Sequence, residues 1–230
     1  MNVVHNANCI DALREYPDRY FDLIIADPPY FSGPEKRGYY GSKVSKIGVH
    51  REYPVSSEWR IPTAADFREI FRVAKYYIIF GANYFSDTQF ATGRIIWDKV
   101  NGKSSFSDAE IAATNLFKSV RIFRFMWNGM MQGRSCDDGT KAQGNKKLNE
   151  KRIHPTQKPV ALYRWIFRNY VKPQWKVCDP FLGSGSSRIA ASEFEIDFVG
   201  FELDAYYFAA QERRYQQEAV SYTHLRAHET

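Results

Sequence analysis

Two short apolar runs that each end in Asp-Pro constrain this 230-residue chain more than any other feature. Phe21-Asp22-Leu23-Ile24-Ile25-Ala26 runs into Asp27-Pro28-Pro29, and Val177-Cys178 runs into Asp179-Pro180. An uninterrupted apolar run of this length, stopped by proline, is the pattern of a strand buried on both faces. Further strands are expected at Tyr76 to Phe80, Ile95 to Trp97, Glu110 to Thr114, Val120 to Phe125 and Phe198 to Phe201. Helical spacing separates them. Ala64 to Ala74 repeats apolar residues at Phe67, Ile70, Phe71 and Ala74. Pro159 to Tyr170 repeats them at Leu162, Trp165, Ile166 and Phe167, with Pro159 suited to a first turn. Ser186 to Ser192 and Ala205 to Gln217 are the other two helices expected. Strands alternating with helices predict an α/β fold, a mostly parallel, Rossmann-like sheet with helices on both faces.

Two segments interrupt the alternation. Phe31 to Trp59 is rich in Gly, Ser and Lys and has no period. Lys118 to Arg152 is long and polar, and a loop of that length inside a compact domain is usually functional or mobile. It holds nine Lys/Arg against three Asp/Glu, a net of +6 that equals the excess of the whole chain. Such a concentration permits a polyanionic partner; a solvated loop is the competing reading. The hydrophobic content of 44% excludes a disordered chain, and no apolar run approaches the roughly 20 residues of a membrane-spanning helix. The three cysteines, Cys9, Cys136 and Cys178, form no CxxC pair, so neither a disulfide framework nor a metal site is expected. The tail SYTHLRAHET, Ser221 to Thr230, lacks a helical stripe and resembles translated vector read-through; it is expected to be non-native or disordered.

Both Asp-Pro corners sit at the carboxyl end of an expected strand, where open α/β sheets bind ligands. In Asp27-Pro28-Pro29-Tyr30 the prolines remove two backbone donors and keep their carbonyls. The turn therefore offers acceptors beside an aromatic face, which suits a planar base bearing an exocyclic amine. In Asp179-Pro180-Phe181-Leu182-Gly183-Ser184-Gly185 a strand enters a helix through a Gly-x-Gly turn that lets a ligand approach the backbone. At the end of the next strand, in Phe201-Glu202-Leu203-Asp204, an acidic residue can accept ribose hydroxyls. A dinucleotide oxidoreductase would need GxGxxG, which is absent from that turn, and a P-loop would need Lys-Ser/Thr.

These residues resemble those of the S-adenosylmethionine-dependent DNA amino-methyltransferases, the N6-adenine and N4-cytosine group. Asp27-Pro28-Pro29-Tyr30 is similar to the family's catalytic motif and Phe181-x-Gly183-x-Gly185 to its cofactor motif. The order of catalytic motif, recognition segment and cofactor motif resembles the β class. Phe80-Gly81-Ala82-Asn83-Tyr84-Phe85 and Ala109-Glu110 resemble family core segments. The resemblance implies that Asn8 (where the family usually has Asp), Cys9, Lys158, Asp179, Pro180, Phe181, Gly183, Ser184, Gly185 and Glu202 form the cofactor site. The segment His154 to Pro159, which contains Lys158, would lie near the methionine moiety. It further implies catalysis by Asp27 to Tyr30 on a flipped-out adenine of double-stranded DNA. Phosphates or bases would be contacted by Arg121, Arg124, Arg134, Lys141, Lys146, Lys147, Lys151 and Arg152. The domain organisation implied is a catalytic-motif half at 1–117, a target-recognition insertion at 118–152, a cofactor-binding half at 153–219 and the tail at 220–230. Such an enzyme would be cytoplasmic, bacterial or phage-encoded, monomeric or homodimeric, and independent of membranes and metals. N4-cytosine methylation is the alternative within the same chemistry, and that branch more often carries Ser in place of Asp27. A non-catalytic DNA-binding module is the alternative of another class, and it leaves Asp27 to Tyr30 idle.

Overall fold

The computed structural model describes residues 1–30, 53–54, 56, 59–102, 107–128 and 131–227, with side chains to residue 218. Most of the expected loop Phe31 to Trp59 lies outside the described residues. One eight-stranded sheet organises the rest. Its strands, in chain order, are β1 (Asn2–Asn6), β2 (Phe21–Ala26), β3 (Ala74–Phe80), β4 (Gly93–Asp98), β5 (Ala109–Thr114), β6 (Val120–Arg124), β9 (Lys176–Asp179) and β10 (Asp197–Glu202). Two short strands, β7 (Trp127–Asn128) and β8 (Met131–Gln132), pair in a separate ribbon. The spatial order is β1-β10-β9-β2-β3-β5-β4-β6. β5 alone runs against its neighbours, between β3 and β4; every other pair is parallel.

The central strands are buried on both sides, as their continuous apolar sequence requires. Along β2, Leu23 and Ile25 enter one core cluster while Ile24 and Ala26 enter the other; along β3, Ile78 and Phe80 alternate with Tyr77 and Ile79 in the same way. Helices α1 (Cys9–Arg14) and α2 (Ala64–Arg72) cover one face through Ile10, Leu13, Phe67 and Ile70. Helices α3 (Val160–Tyr170) and α4 (Ser186–Glu193) cover the other through Ile166, Phe167 and Ile189. Each fully buried Ile or Phe contributes about 1.5–3 kcal/mol relative to exposure. Caps fix the helix starts: Asn8 accepts from the amides of Ile10 and Asp11 at α1, and Thr63 and Asp66 form a reciprocal capping box at α2.

β1 and α1 were not among the elements expected from the sequence. β1 precedes Phe21, and its five residues, NVVHN, are too short and too polar to stand out by pattern. The strand expected at Val120 to Phe125 is present as β6, which lies within 118–152 and pairs with β4 along its whole length. α5 (Ala205–Ala227) runs past residue 220 as far as Ala227. The segment SYTHLRA contains neither Gly nor Pro, and extending an existing helix fixes one residue per added hydrogen bond, so nothing stops the helix there.

Candidate active site

The chain leaves β2 toward α2 on one face and β9 toward α4 on the other, although the two strands are hydrogen-bonded neighbours with Leu23 opposite Val177 and Ile24 opposite Cys178. This is the switch point of a doubly wound sheet, where a crevice opens at the carboxyl ends. A cavity of about 400 Å³ occupies it. Asp27, Pro28, Pro29 and Tyr30 line it together with Pro180, Phe181, Gly183, Ser184 and Glu202, and so do Asn8, Cys9 and Lys158. The two Asp-Pro corners therefore meet in one site.

Two residues assigned to the cofactor from the sequence are not on the cavity wall. Asp179 is 1% exposed. Its carboxylate accepts from the Phe181 amide at 3.0 Å and the Ser187 hydroxyl at 2.5 Å, so it shapes the turn from behind. Burial pushes its carboxyl up to about 7. Gly185 caps α4 at φ 74°, packed against Gln211, where a Cβ would lie 3.1 Å from that side chain's oxygen.

Glu202 ties the cofactor-side corner together. Its two carboxylate oxygens accept from the amides of Gly183 and Asp204, each at 2.8 Å. Each oxygen has a second lone pair, and the side chain lines the cavity. Burial raises its carboxyl above the ordinary range despite these amide bonds. His154 packs edge-on against Tyr207, ring centroids 4.4 Å apart, and burial holds its imidazole down at about 4, so it is neutral at physiological pH.

Tyr30 lies against Gly81, just after β3. Gly81 has φ 67°, and a Cβ there would come within 2.4 Å of the Tyr30 ring. Tyr84 stacks on Tyr30 at 4.6 Å and 8°, while remaining 56% exposed. The segment Phe80 to Phe85 thus supports the Tyr30 ring on the cavity wall.

Sequence reasoning missed a chain of charges behind Asp27. Lys158 Nζ lies 2.5 Å from Asp27 Oδ1 and 2.9 Å from Glu110 Oε2, and Lys99 Nζ lies 2.6 Å from Glu110 Oε1. Burial would raise the Glu110 carboxyl, but Lys158 and Lys99 more than offset it and hold it at about 2. Burial pushes Asp27 upward, opposed by Lys158. Burial would lower Lys158, but Asp27 and Glu110 outweigh it and hold the ammonium well above its ordinary value. Lys158, expected at the cofactor, is thus engaged by two carboxylates, though it remains on the cavity wall. The antiparallel course of β5 explains why Glu110 was missed: it brings the start of a strand, not its end, to the site.

The basic residues expected to face DNA do not share one environment. Arg134, Lys141, Lys146, Lys147 and Lys151 are exposed. Arg124 is exposed at the carboxyl end of β6, the edge on which the cavity opens, and lies 3.3 Å from Asp98. Arg121 sits three residues back along that strand, near the ring of Phe117, away from that edge. The Arg152 guanidinium is half-buried over the Trp127 ring at 4.2 Å. Among the described residues, no group of three or more His, Cys, Asp or Glu could hold a metal, and no helix is long and apolar enough to cross a membrane.

The doubly wound sheet with its cavity at the switch point defines a Rossmann-like α/β protein with a ligand site of small-molecule size. Residues 117–213 match the N6/N4 DNA methylase family. The type II methyltransferase M.HinfI of Haemophilus influenzae is 24% identical, over 94% of this chain and 69% of that protein. Among solved structures, the M1.HpyAVI–SAM complex is 22% identical with a TM-score of 0.53, over 93% of this chain and 100% of that one. The cytosine-N4-specific PvuII DNA methyltransferase is 13% identical with a TM-score of 0.54, over 96% and 91%. The chain is similar to the S-adenosylmethionine-dependent DNA amino-methyltransferases, as the two motifs implied, and it has their fold.

Proposed function

We propose that this protein is a site-specific DNA methyltransferase that moves a methyl group from S-adenosylmethionine to the N6 amine of an adenine in double-stranded DNA. The observation that carries this reading is the meeting of the Asp27 and Glu202 corners in one cavity. The residues present suit the cofactor: the cavity's volume is in the range of small-molecule sites, and Glu202 has lone pairs to spare for ribose hydroxyls. Pro180, Phe181, Cys9 and Ile10 would hold the apolar and aromatic parts, with Asn8 beside them and the Gly183–Ser184 backbone open to close approach. When bound, S-adenosylmethionine supplies an electrophilic methyl group carried on a sulfonium sulfur.

The chain's own residues do the rest. An adenine inside a duplex is unreachable, and flipping it out costs a few kcal/mol. Tyr30 offers the flipped base an aromatic face. Asp27 and the Pro28 carbonyl accept N–H groups of the exocyclic amine, whose lone pair is otherwise drawn into the ring. As the nitrogen gains positive charge, the Asp27 carboxylate stabilises it more than it stabilises the neutral amine, which is differential binding of the transition state. No cysteine nucleophile is needed, and burial pushes the Cys9 thiol up to about 12.

Asp27, where the N4-cytosine branch more often has Ser, favours adenine as the target. We further propose that the exposed cations of 118–152 face DNA, as a recognition segment attached to the sheet through β6, between a catalytic half before it and a cofactor half after it. Digesting methylated DNA to nucleosides and weighing the modified one tests the reading: N6-methyladenine is expected, and N4-methylcytosine as sole product overturns the target assignment. Asp27→Ala should abolish transfer and leave cofactor affinity within a few-fold. A variant that keeps more than about a tenth of the wild-type rate, a loss under about 1.4 kcal/mol, removes Asp27 as the amine acceptor.

A further inference from the structure

We propose that Lys158 and Glu110 are positioning residues for methyl transfer: the Lys158 ammonium fixes one oxygen of Asp27 and leaves the remainder of the carboxyl group to the target amine. The proposal rests on the methyl-transfer reading above and adds to it two side chains that need not touch the base.

The geometry is specific. Asp27 Oδ1 is itself buried, so the 15% exposure of that side chain belongs to its other atoms. The Lys158 side chain is 3% exposed and has little freedom to leave. Its ammonium lies 5.0 Å from the Phe80 ring centroid, a cation–π contact from β3. Its carbonyl accepts from the Ser186 hydroxyl at 2.7 Å, in the first turn of α4, and Ser186 in turn faces the Ser184 hydroxyl at 3.1 Å. Lys158 is therefore anchored by backbone to the cofactor turn and by side chain to the catalytic carboxylate. Glu110, held on its far side by Lys99, keeps the ammonium in line.

A buried ion pair is weak grounds for stability, because well-packed apolar groups of the same volume are often as good or better. Here the pair sits on the wall of the cavity. A desolvated carboxylate alone would take up a proton and lose its capacity to accept from an amine. The groups facing Asp27 are Tyr30 on its own turn, Lys158 and Tyr163 at and in α3, Glu110 on β5, Lys99 past the end of β4, and Asp179 at the end of β9. Only the two lysines favour the ionised form, and Lys158 is the nearer.

The two partners are distinguishable because their charges act on Asp27 with opposite sign. In Lys158→Met the acid limb of the pH–rate profile should move up by about one unit, so that the rate below the limb falls about tenfold and recovers in part at alkaline pH. In Glu110→Gln the limb should move down, because a repelling charge is gone and Lys158 is shared with no other carboxylate. Lys158→Arg, which keeps the charge, should lower the plateau and leave the limb in place. Equal loss at every pH with the limb unmoved, or both limbs moving the same way, overturns the proposal. Infrared titration of protein carrying 13C-carboxyl aspartate, with the Asp27 band assigned by its loss in Asp27→Asn, reads the same midpoint without turnover. An Asp27 midpoint unchanged by Lys158→Met sinks the inference whatever the enzyme does. A midpoint that moves, in a wild-type protein that methylates no DNA, leaves the Asp27–Lys158 linkage standing and overturns the methyl-transfer reading instead.

Discussion

At the scale of the residue, the site depends on one hydrogen atom. Gly81 must take φ 67° and must have no Cβ, because the Tyr30 ring lies where that carbon would be. A left-handed non-glycine residue costs about 1–2 kcal/mol on its own. In Gly81→Ala the ring must also shift from its place against Tyr84. The variant is expected to bind S-adenosylmethionine as wild type does, to melt a few degrees lower, and to lose tenfold or more in kcat. Calorimetric titration and initial rates on the same preparation check this, and an unchanged kcat would show that the placement of Tyr30 is unimportant. The segment Phe80 to Phe85 was visible in the sequence only as a family resemblance; the structure supplies its physical reason.

At the scale of the element, loops at strand ends line the cavity and helices hold them in place. Glu202, closing β10, bonds the amide of Gly183 in the turn after β9 and the amide of Asp204 ahead of α5. Hydrogen bonds to a charged group contribute about 1.5–3 kcal/mol. Glu202→Ala should therefore weaken cofactor binding about 10- to 100-fold and leave DNA affinity unaltered; equal cofactor affinity would place the ribose elsewhere. How much was legible follows from the same elements. β2, β3 and β9 announced themselves because strands buried on both faces carry apolar runs, with prolines marking where β2 and β9 end and Gly81 where β3 ends. Both corners of the site were legible for that reason. Glu110 was not, because a carboxylate at the start of a strand matters only once the reversed course of β5 is known. Lys158 was legible as part of a motif but not as the partner of Asp27, since a contact across 131 residues leaves no periodic trace. The half-buried Arg152 likewise reads as one more surface cation until Trp127 is placed beneath it.

At the scale of the whole molecule, the proposed role of the exposed cations of 118–152 is to hold DNA through its phosphates. If about four of them meet phosphates, log affinity should fall with log salt at a slope near −3.6, about −0.9 per contact. Neutralising Lys146 and Lys147, exposed in a short turn capped by Asn145, should flatten that slope by up to about two units and weaken all sequences alike. A slope and methylation rate both unmoved by the double substitution would assign DNA binding to another surface. The topology also governs when such a site can exist during folding. β2 finds one of its two neighbours only when β9 arrives, 154 residues later, and β1 waits still longer for β10. Contacts so distant in sequence are slow to form, because their loops must close before any pairing is gained. A nascent chain that has made β2 but not β9 carries an apolar strand with an open side, a species prone to aggregate. The two Asp-Pro corners come together only in that β2–β9 docking, so methyl-transfer activity in a refolding chain should never emerge ahead of it.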